Sequence, residues 1–271
     1  AMEKQREMAR KASKFKVDES FSLDHGLKSD FYGYQDLDTE SEVIGVFGKD
    51  GSDKLQEGEI GQVILDKTPF YAESGGQVGD QGSFSSESIN FEVLDTQFSG
   101  DAYSHIGTVS TGQIKVGDKI KASVNPVRRK SITLNHTGTH MLHRALMMVL
   151  GEHVQQRGSL VDDEKIRFDF SHHQSLTSNE IREIETIVNE KIEENIDVQT
   201  SIMKHDEAIS SGAMALFGEK YGDDVRVLDV GDFSKELCGG THVNNTNEIG
   251  IFKVVSESSI SSGTRRIEAI T

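Results

Sequence analysis

The sequence predicts an α+β fold in two parts, a small antiparallel β-barrel or sandwich followed by a region that mixes helices and strands. Three observations carry this expectation. Between residues 41 and 124, short alternating runs are separated by Gly, Asp and Ser. At Asn125-Pro126 the pattern gives way to a long helical stretch. Beyond it, strand-like and helix-like segments alternate to the C-terminus.

Residues 1–16 are dense in charged helix formers and have no apolar stripe, so a charged helix is expected there. It reads as a connector from something upstream. Residues 17–125 form the first expected domain. Its strands are read at Glu42–Phe47, Ile60–Leu65, Ile89–Leu94 and Lys119–Val124. Short strands at regular spacing suit a closed or stacked antiparallel sheet. Residues 126–271 form the second. Asn125 is a good N-cap and Pro126 a favoured first helical residue, so a helix should run to about Leu150, with Gly151 just past its end. A second helix should start at Thr177, where Thr-Ser-Asn-Glu180 has capping-box spacing and Ile181, Ile184, Val188 and Ile192 keep helical period. Strands are expected at Ile166–Phe170, Val225–Val230, Ile249–Glu257 and Thr264–Ile270.

The chain has 271 residues, comfortable for two domains, and a formal charge of −16. No apolar run approaches the ~20 residues that span a bilayer; the longest is Ala145–Leu150. The N-terminus is charged and lacks the apolar core of a secretory signal, so no membrane and a cytoplasmic location are expected. One cysteine, Cys238, excludes an internal disulfide and fits a reducing compartment. The acidic balance argues against a broad nucleic-acid footprint, though local basic groups exist at Arg128, Arg129 and Lys130, at Arg157, and at Arg265 and Arg266. Taken alone, each reads as a solvated surface charge.

The chemistry-bearing residues fall in two clusters. His136 and His140 stand one turn apart on one face of the expected long helix. About a hundred residues later comes Cys238-Gly-Gly-Thr-His242, whose glycines allow a thiolate and an imidazole to converge. Three His and one Cys make a borderline-soft donor set that favours zinc over magnesium or calcium. His143, one further turn along, reads as an outer partner or a core histidine. A His-Glu-x-x-His metalloprotease would carry its base beside the first histidine, where this chain has Thr137. Four protein ligands usually mark a structural zinc, whereas a catalytic one keeps a position open. The spacing leaves three arrangements: one of the four is not a ligand, one is displaced by substrate, or the metal only positions the substrate.

His136-Thr-Gly-Thr-His140 with Cys238-Gly-Gly-Thr-His242 resembles the editing domains of alanyl-tRNA synthetases and their free-standing AlaX relatives. Threonyl-tRNA synthetases carry a related pattern. Pro69-Phe-Tyr-Ala-Glu-Ser-Gly-Gly-Gln-Val-Gly-Asp-Gln-Gly82 is similar to the glycine-rich signature of the alanyl group, and its glycine spacing fits neither a P-loop nor a dinucleotide fingerprint. Further matches are Gln156-Arg-Gly-Ser159, Arg167-Phe-Asp-Phe170 and Gly263-Thr-Arg-Arg-Ile-Glu268. The resemblance spans nearly the whole chain and implies a bacterial-type fragment, with Ala1 a cloning remnant and residues 1–16 the connector after missing upstream domains. It implies a β-barrel followed by an α+β zinc-containing domain. The implied reaction is hydrolysis of seryl- or glycyl-tRNA made for alanine.

The resemblance also implies site roles. His136, His140, Cys238 and His242 would hold Zn2+. Thr139, Gln156 and Cys238 would be the catalytic set, with Thr139 meeting the seryl hydroxyl and Gln156, which cannot be a base, orienting a water or the ester carbonyl. Gly75, Gly76, Gln77, Gly240, Thr241, Arg265 and Arg266 would meet the substrate or the tRNA. The implied partner is the acceptor end of tRNA(Ala) carrying serine or glycine, and the full-length ATP-dependent ligase would form a homo-oligomer through a C-terminal module absent here. Rival readings are a free-standing trans-editing deacylase and a tRNA-end binding module with a structural zinc. A metallohydrolase of small molecules fits less well, because no glutamate base or carboxylate ligand is evident.

Overall fold

A computed structural model describes residues 26–49, 51–215 and 221–271. The charged helix expected at 1–16 lies outside them. The chain divides into two compact units, one holding the described residues up to Glu73 with Gly79–Arg129, the other Ser74–Val78 with Lys130–Thr271. The fold is α+β with a closed antiparallel barrel, as the sequence predicts.

In the first unit the strands are β1 (Asp30–Phe31), β2 (Asp38–Gly48), β3 (Lys54–Gln56), β4 (Ile60–Leu65), β5 (Lys67–Thr68), β6 (Gly82–Ser85), β7 (Asn90–Ser99), β8 (Ala102–Thr111), β9 (Gln113–Lys115) and β10 (Lys119–Val124). Six of them close in the order β10-β2-β4-β8-β7-β6, every pair antiparallel. Closure removes the exposed sheet edge that a small open sheet would present. Alternation along the strands sends Val43, Val63, Leu65, Phe91, Val93, Val109 and Ile120 into one apolar core. Phe84 and Phe91 sit opposite each other across β6 and β7, with rings stacked at 5.4 Å.

Two of the polar residues buried in this unit are set apart by their hydrogen bonds. His105 on β8 is wholly inside. Its Nδ1–H donates to the Val63 carbonyl at 2.9 Å, which leaves Nε2 to accept from the Thr68 hydroxyl at 2.8 Å. The Phe70 and Phe84 rings meet it edge-on. Burial pushes this imidazole down to about 4, against a smaller opposing pull from the Val63 hydrogen bond. The second is Arg129, which the sequence alone reads as a solvated charge. It is buried: Nε donates to Asp80 at 3.0 Å, one terminal nitrogen to the Gly33 carbonyl at 2.6 Å, and the other to the Pro69 carbonyl at 2.9 Å and to Asp80. Asp80 also accepts the Tyr71 N–H at 2.7 Å. One guanidinium thus ties together three separate loops of the barrel unit.

The second unit contains α1 (Pro126–Leu150, from Lys130 onward), β11 (Gln156–Val161), β12 (Ile166–Ser171), α2 (Ser178–Glu193), β13 (Gln199–Lys204), α3 (His205–Ser210), β14 (Asp224–Val230), β15 (Ser234–Leu237), a 3-10 turn (Thr246–Ile249), β16 (Lys253–Ser261) and β17 (Thr264–Ile270). One antiparallel sheet runs β11-β12-β17-β16 and another β13-β14-β15. Met141, Leu142, Ala145 and Leu146 of α1, Ile184, Val188 and Ile192 of α2, and Phe168, Phe170 and Ile267 of the larger sheet share one core. Both helix starts follow the sequence. Asn125 accepts the N–H groups of Val127 and Arg128, and Thr177 and Glu180 form a reciprocal capping box. One strand is shorter at its start than expected. Ile249–Glu257 opens as a turn, because Asn245 and Glu248 cap a 3-10 segment and Gly250 follows at φ 78°, so β16 begins at Lys253. Among the described residues, no helix is long and apolar enough to cross a membrane.

Two tests probe the barrel's buried polar groups. Above pH 6.5 His105 is neutral both folded and unfolded. As pH falls toward 4 the unfolded chain takes up a proton that the folded ring refuses, so stability is lost, by about 2–3 kcal/mol at pH 4.5. Urea melts at pH 7 and 4.5 should show that loss in the native chain and less of it in His105→Asn; equal losses would refute the assignment. Arg129→Leu should cost about 3–5 kcal/mol, since it strands Asp80 in the interior. Adding Asp80→Leu should recover part of it in the same thermal melts.

Candidate metal centre

Helical spacing brings His136 and His140 of α1 side by side, with ring centroids 5.2 Å apart. The loop after β15 supplies Cys238 and His242. The His242 ring lies 4.4 Å from that of His136 and 5.2 Å from that of His140. Cys238 Sγ is 3.5 Å from His136 Nε2 and 3.2 Å from His242 Nε2. One donor atom from each of the four residues lies within 4.8 Å of all the others. A four-coordinate metal at ~2.0–2.3 Å would hold its ligands roughly 3.3–3.8 Å apart, so modest contraction closes the set.

Each imidazole is held at its other nitrogen. Gln77 Oε1 accepts the Thr241 backbone N–H at 2.9 Å, a bond with only one possible direction, so the amide orientation is fixed. The same oxygen therefore accepts His136 Nδ1–H at 2.7 Å, and His136 Nε2 faces the cluster. His140 Nδ1 is bonded to Glu236 Oε2 at 2.9 Å, and its buried Nε2 has no hydrogen-bond partner among the described residues. His242 Nδ1 is 3.3 Å from the Thr137 hydroxyl. Thr137, where a metalloprotease would carry its base, instead contacts His242. The orphaned His140 nitrogen and a donor set of three nitrogens and one sulfur fit a bound metal ion.

The shifts of Cys238 and His242 suit metal donors, whereas that of His140 keeps a proton which a metal would have to displace. Burial alone would push the Cys238 thiol up, but the rings of His136, His242 and His140 outweigh it and hold it well below the usual thiol range. Burial pushes His242 down to about 3, so it is a neutral donor. Burial also pulls on His140, yet Glu236 and Cys238 outweigh it and raise that ring to about 10.

Family models match the chain in two places. Residues 1–128 match tRNA synthetases class II (A), and residues 225–268, which include Glu236, Cys238 and His242, match the threonyl and alanyl tRNA synthetase second additional domain. Across its full length the chain is 49% identical to an alanine–tRNA ligase of Nitrosococcus oceani, 52% to one of Herminiimonas arsenicoxydans and 50% to one of Paraburkholderia phymatum. The chain belongs to the alanine–tRNA ligase family. It spans about a third of those relatives, 32%, 31% and 31% of their lengths.

Of the other residues singled out in the sequence, some lie against the cluster and others do not. Gly240 packs against the His136 ring so closely that a Cβ would run into it. Gly76, at φ 89°, lies against Ser159, which a Cβ would meet at 2.8 Å, while Gly75 is exposed. Arg226 donates to the carbonyls of Cys238 and Gly240 and shapes the ligand loop. Thr139 is buried on α1, about 60° around the helix axis from His136. Gln156 opens β11, half-buried opposite Phe170, and is not among the residues that hold the ligands. Arg265 and Arg266 are on β17, paired with Glu257 at 2.5 Å and with Asp169 at 2.6 and 2.7 Å.

Sequence reasoning missed Glu236. The signal was slight: it stands two residues before Cys238, at the end of a short strand that the sequence did not reveal. It also bonds Ser234 at 3.0 Å and lies 3.5 Å from His143, which sits outside the four-residue cluster. Glu236→Gln should weaken metal binding about 10–100-fold, and Gln77→Leu by a similar amount, with the fold retained. Competition with a chromophoric chelator measures this; unchanged affinity in both variants would refute the orienting role.

Proposed function

We propose that this chain carries out the editing reaction of its family, hydrolysing the ester of tRNA(Ala) mischarged with serine or glycine in the cytoplasm, with Zn2+ held by His136, His140, Cys238 and His242. The observation that supports it best is the convergence of those four donors on one point, with all three imidazoles oriented from behind. When bound, zinc supplies a Lewis acid able to polarise the ester or hold the substrate's amino group.

The chain's own residues supply selectivity. The Thr139 hydroxyl donates to the Asn135 carbonyl at 2.9 Å, so its oxygen presents lone pairs rather than a proton. It can accept the hydroxyl of a seryl group, which an alanyl group lacks. A small synthetic pocket rejects an added hydroxyl poorly, whereas a site built to hydrogen-bond it discriminates well. Gln156 orients a water or the ester carbonyl. Gly75 and Gly76 form wall, Gln77, Gly240 and Thr241 keep it rigid, and Arg265 and Arg266 meet the tRNA with charge partly neutralised by their carboxylate partners.

A second reading is a tRNA-end binding module whose metal is structural. Its support is that four protein donors lie close enough to fill a tetrahedral shell without substrate. A deacylation assay with seryl-tRNA separates the two. The native chain should release serine, and chelation or His140→Ala should abolish release. Thr139→Val should lower the preference for seryl over alanyl ester about tenfold, the worth of one hydrogen bond. An unchanged ratio would remove Thr139 from selectivity, full activity without metal would remove zinc, and no activity at all would favour the binding module.

A further inference from the structure

A second group of imidazoles stands apart from the four-ligand cluster. His153, in the segment between α1 and β11, and His172, which follows β12, face each other with rings stacked at 5.2 Å. His153 Nε2 and His172 Nδ1 are 2.9 Å apart. Only one proton fits between two such nitrogens, and both rings are partly exposed.

The backbone holds this pair in place. The Ser171 hydroxyl donates to the His153 carbonyl at 2.8 Å and accepts the Gln155 N–H at 2.9 Å, while Ser171 N–H donates to the Gln155 carbonyl at 3.0 Å. His172 N–H is bonded to the Gly263 carbonyl at 3.1 Å, and Gly151 turns the chain at φ 112° just before His153. Two segments are therefore pinned so that two ring nitrogens meet. Of the charged groups around His172, Glu180 favours a cation, while His173 and Arg265 oppose one.

We propose that His153 Nε2 and His172 Nδ1 form a second, peripheral site for a borderline divalent transition metal, with water completing its shell. Two imidazoles at ~2.0–2.1 Å from a metal lie roughly 2.8–3.0 Å apart at a right angle and roughly 3.3–3.4 Å apart in a tetrahedral shell, so the observed 2.9 Å fits the first as it stands and the second after opening by a few tenths of an ångström. A metal bound there takes the place of the shared proton, which moves to the outer nitrogen of the ring that carried it, so that both rings stay neutral donors. Two imidazoles bind zinc, copper or nickel and leave magnesium and calcium, which prefer oxygen. With two protein ligands instead of four, this site should be weaker than the cluster.

Calorimetric titration with Zn2+ tests this on the whole chain already carrying one equivalent. The native chain should take a second, weaker equivalent. His153→Gln and His172→Ala should each lose that second event and keep the first, which also reports that they are folded. Mg2+ should produce no second event. A native chain that stops at one equivalent, or a second event unchanged in both variants, would overturn the proposal.

Discussion

Three imidazoles and a thiolate can share one point only if each ring is fixed from behind, because a histidine has two nitrogens and a free ring can turn either outward. The centre rests on that constraint. The Thr241 N–H can only donate, so it settles which end of the Gln77 amide faces it, and this in turn settles which His136 nitrogen carries the proton. Glu236 does the same for His140 with a charge, and Thr137 does it for His242 with a hydroxyl. Burying a carboxylate as deeply as Glu236 is costly unless partners surround it, and here His140, Ser234 and His143 do. The result is a site whose donor atoms are aimed before any ion arrives.

The barrel unit uses buried polar groups for a structural end. A small barrel has little interior to fill, and its apolar layer is made chiefly by aromatic and β-branched side chains. Arg129 joins three of its loops, reaching two buried carbonyls and one buried carboxylate. His105 plays the complementary part inside, neutral and satisfied at both nitrogens. In both cases a complete hydrogen-bond set makes an interior polar group tolerable.

Periodicity and caps made much of the fold legible. α1, α2, β4, β10 and β17 follow directly from apolar spacing, from Asn125-Pro126 and from the Thr177–Glu180 box. β8 did not, because Ser104 and His105, consecutive and so on opposite faces, are both buried, and the alternation of apolar and polar residues breaks there. β13 did not, because most of its residues are exposed and it lies at a sheet edge. For the centre, helical spacing and a lone cysteine beside a histidine were enough to bring four donors together on paper. The partners behind them were not, since Gln77 lies far away in sequence and a glutamine has no metal-ligand signature. Arg129 shows the converse, a charge within a basic run that the fold takes inside.

The two threonines between the helix histidines show how far residue type underdetermines role. Thr137 and Thr139 flank the metal face of α1, and both hydroxyls donate one turn back, to Thr133 at 3.0 Å and to Asn135 at 2.9 Å. That bond takes up the only proton of each. What differs is the oxygen left over. Thr137 commits its lone pairs inside the fold, to His242 Nδ1 and to the Val243 N–H at 3.2 Å. No such claim on the Thr139 oxygen is present among the described residues, so a hydroxyl arriving from outside is what its chemistry suits. A threonine whose proton is already committed can only accept at its oxygen, and on the editing reading proposed above that asymmetry separates a substrate bearing a hydroxyl from one lacking it.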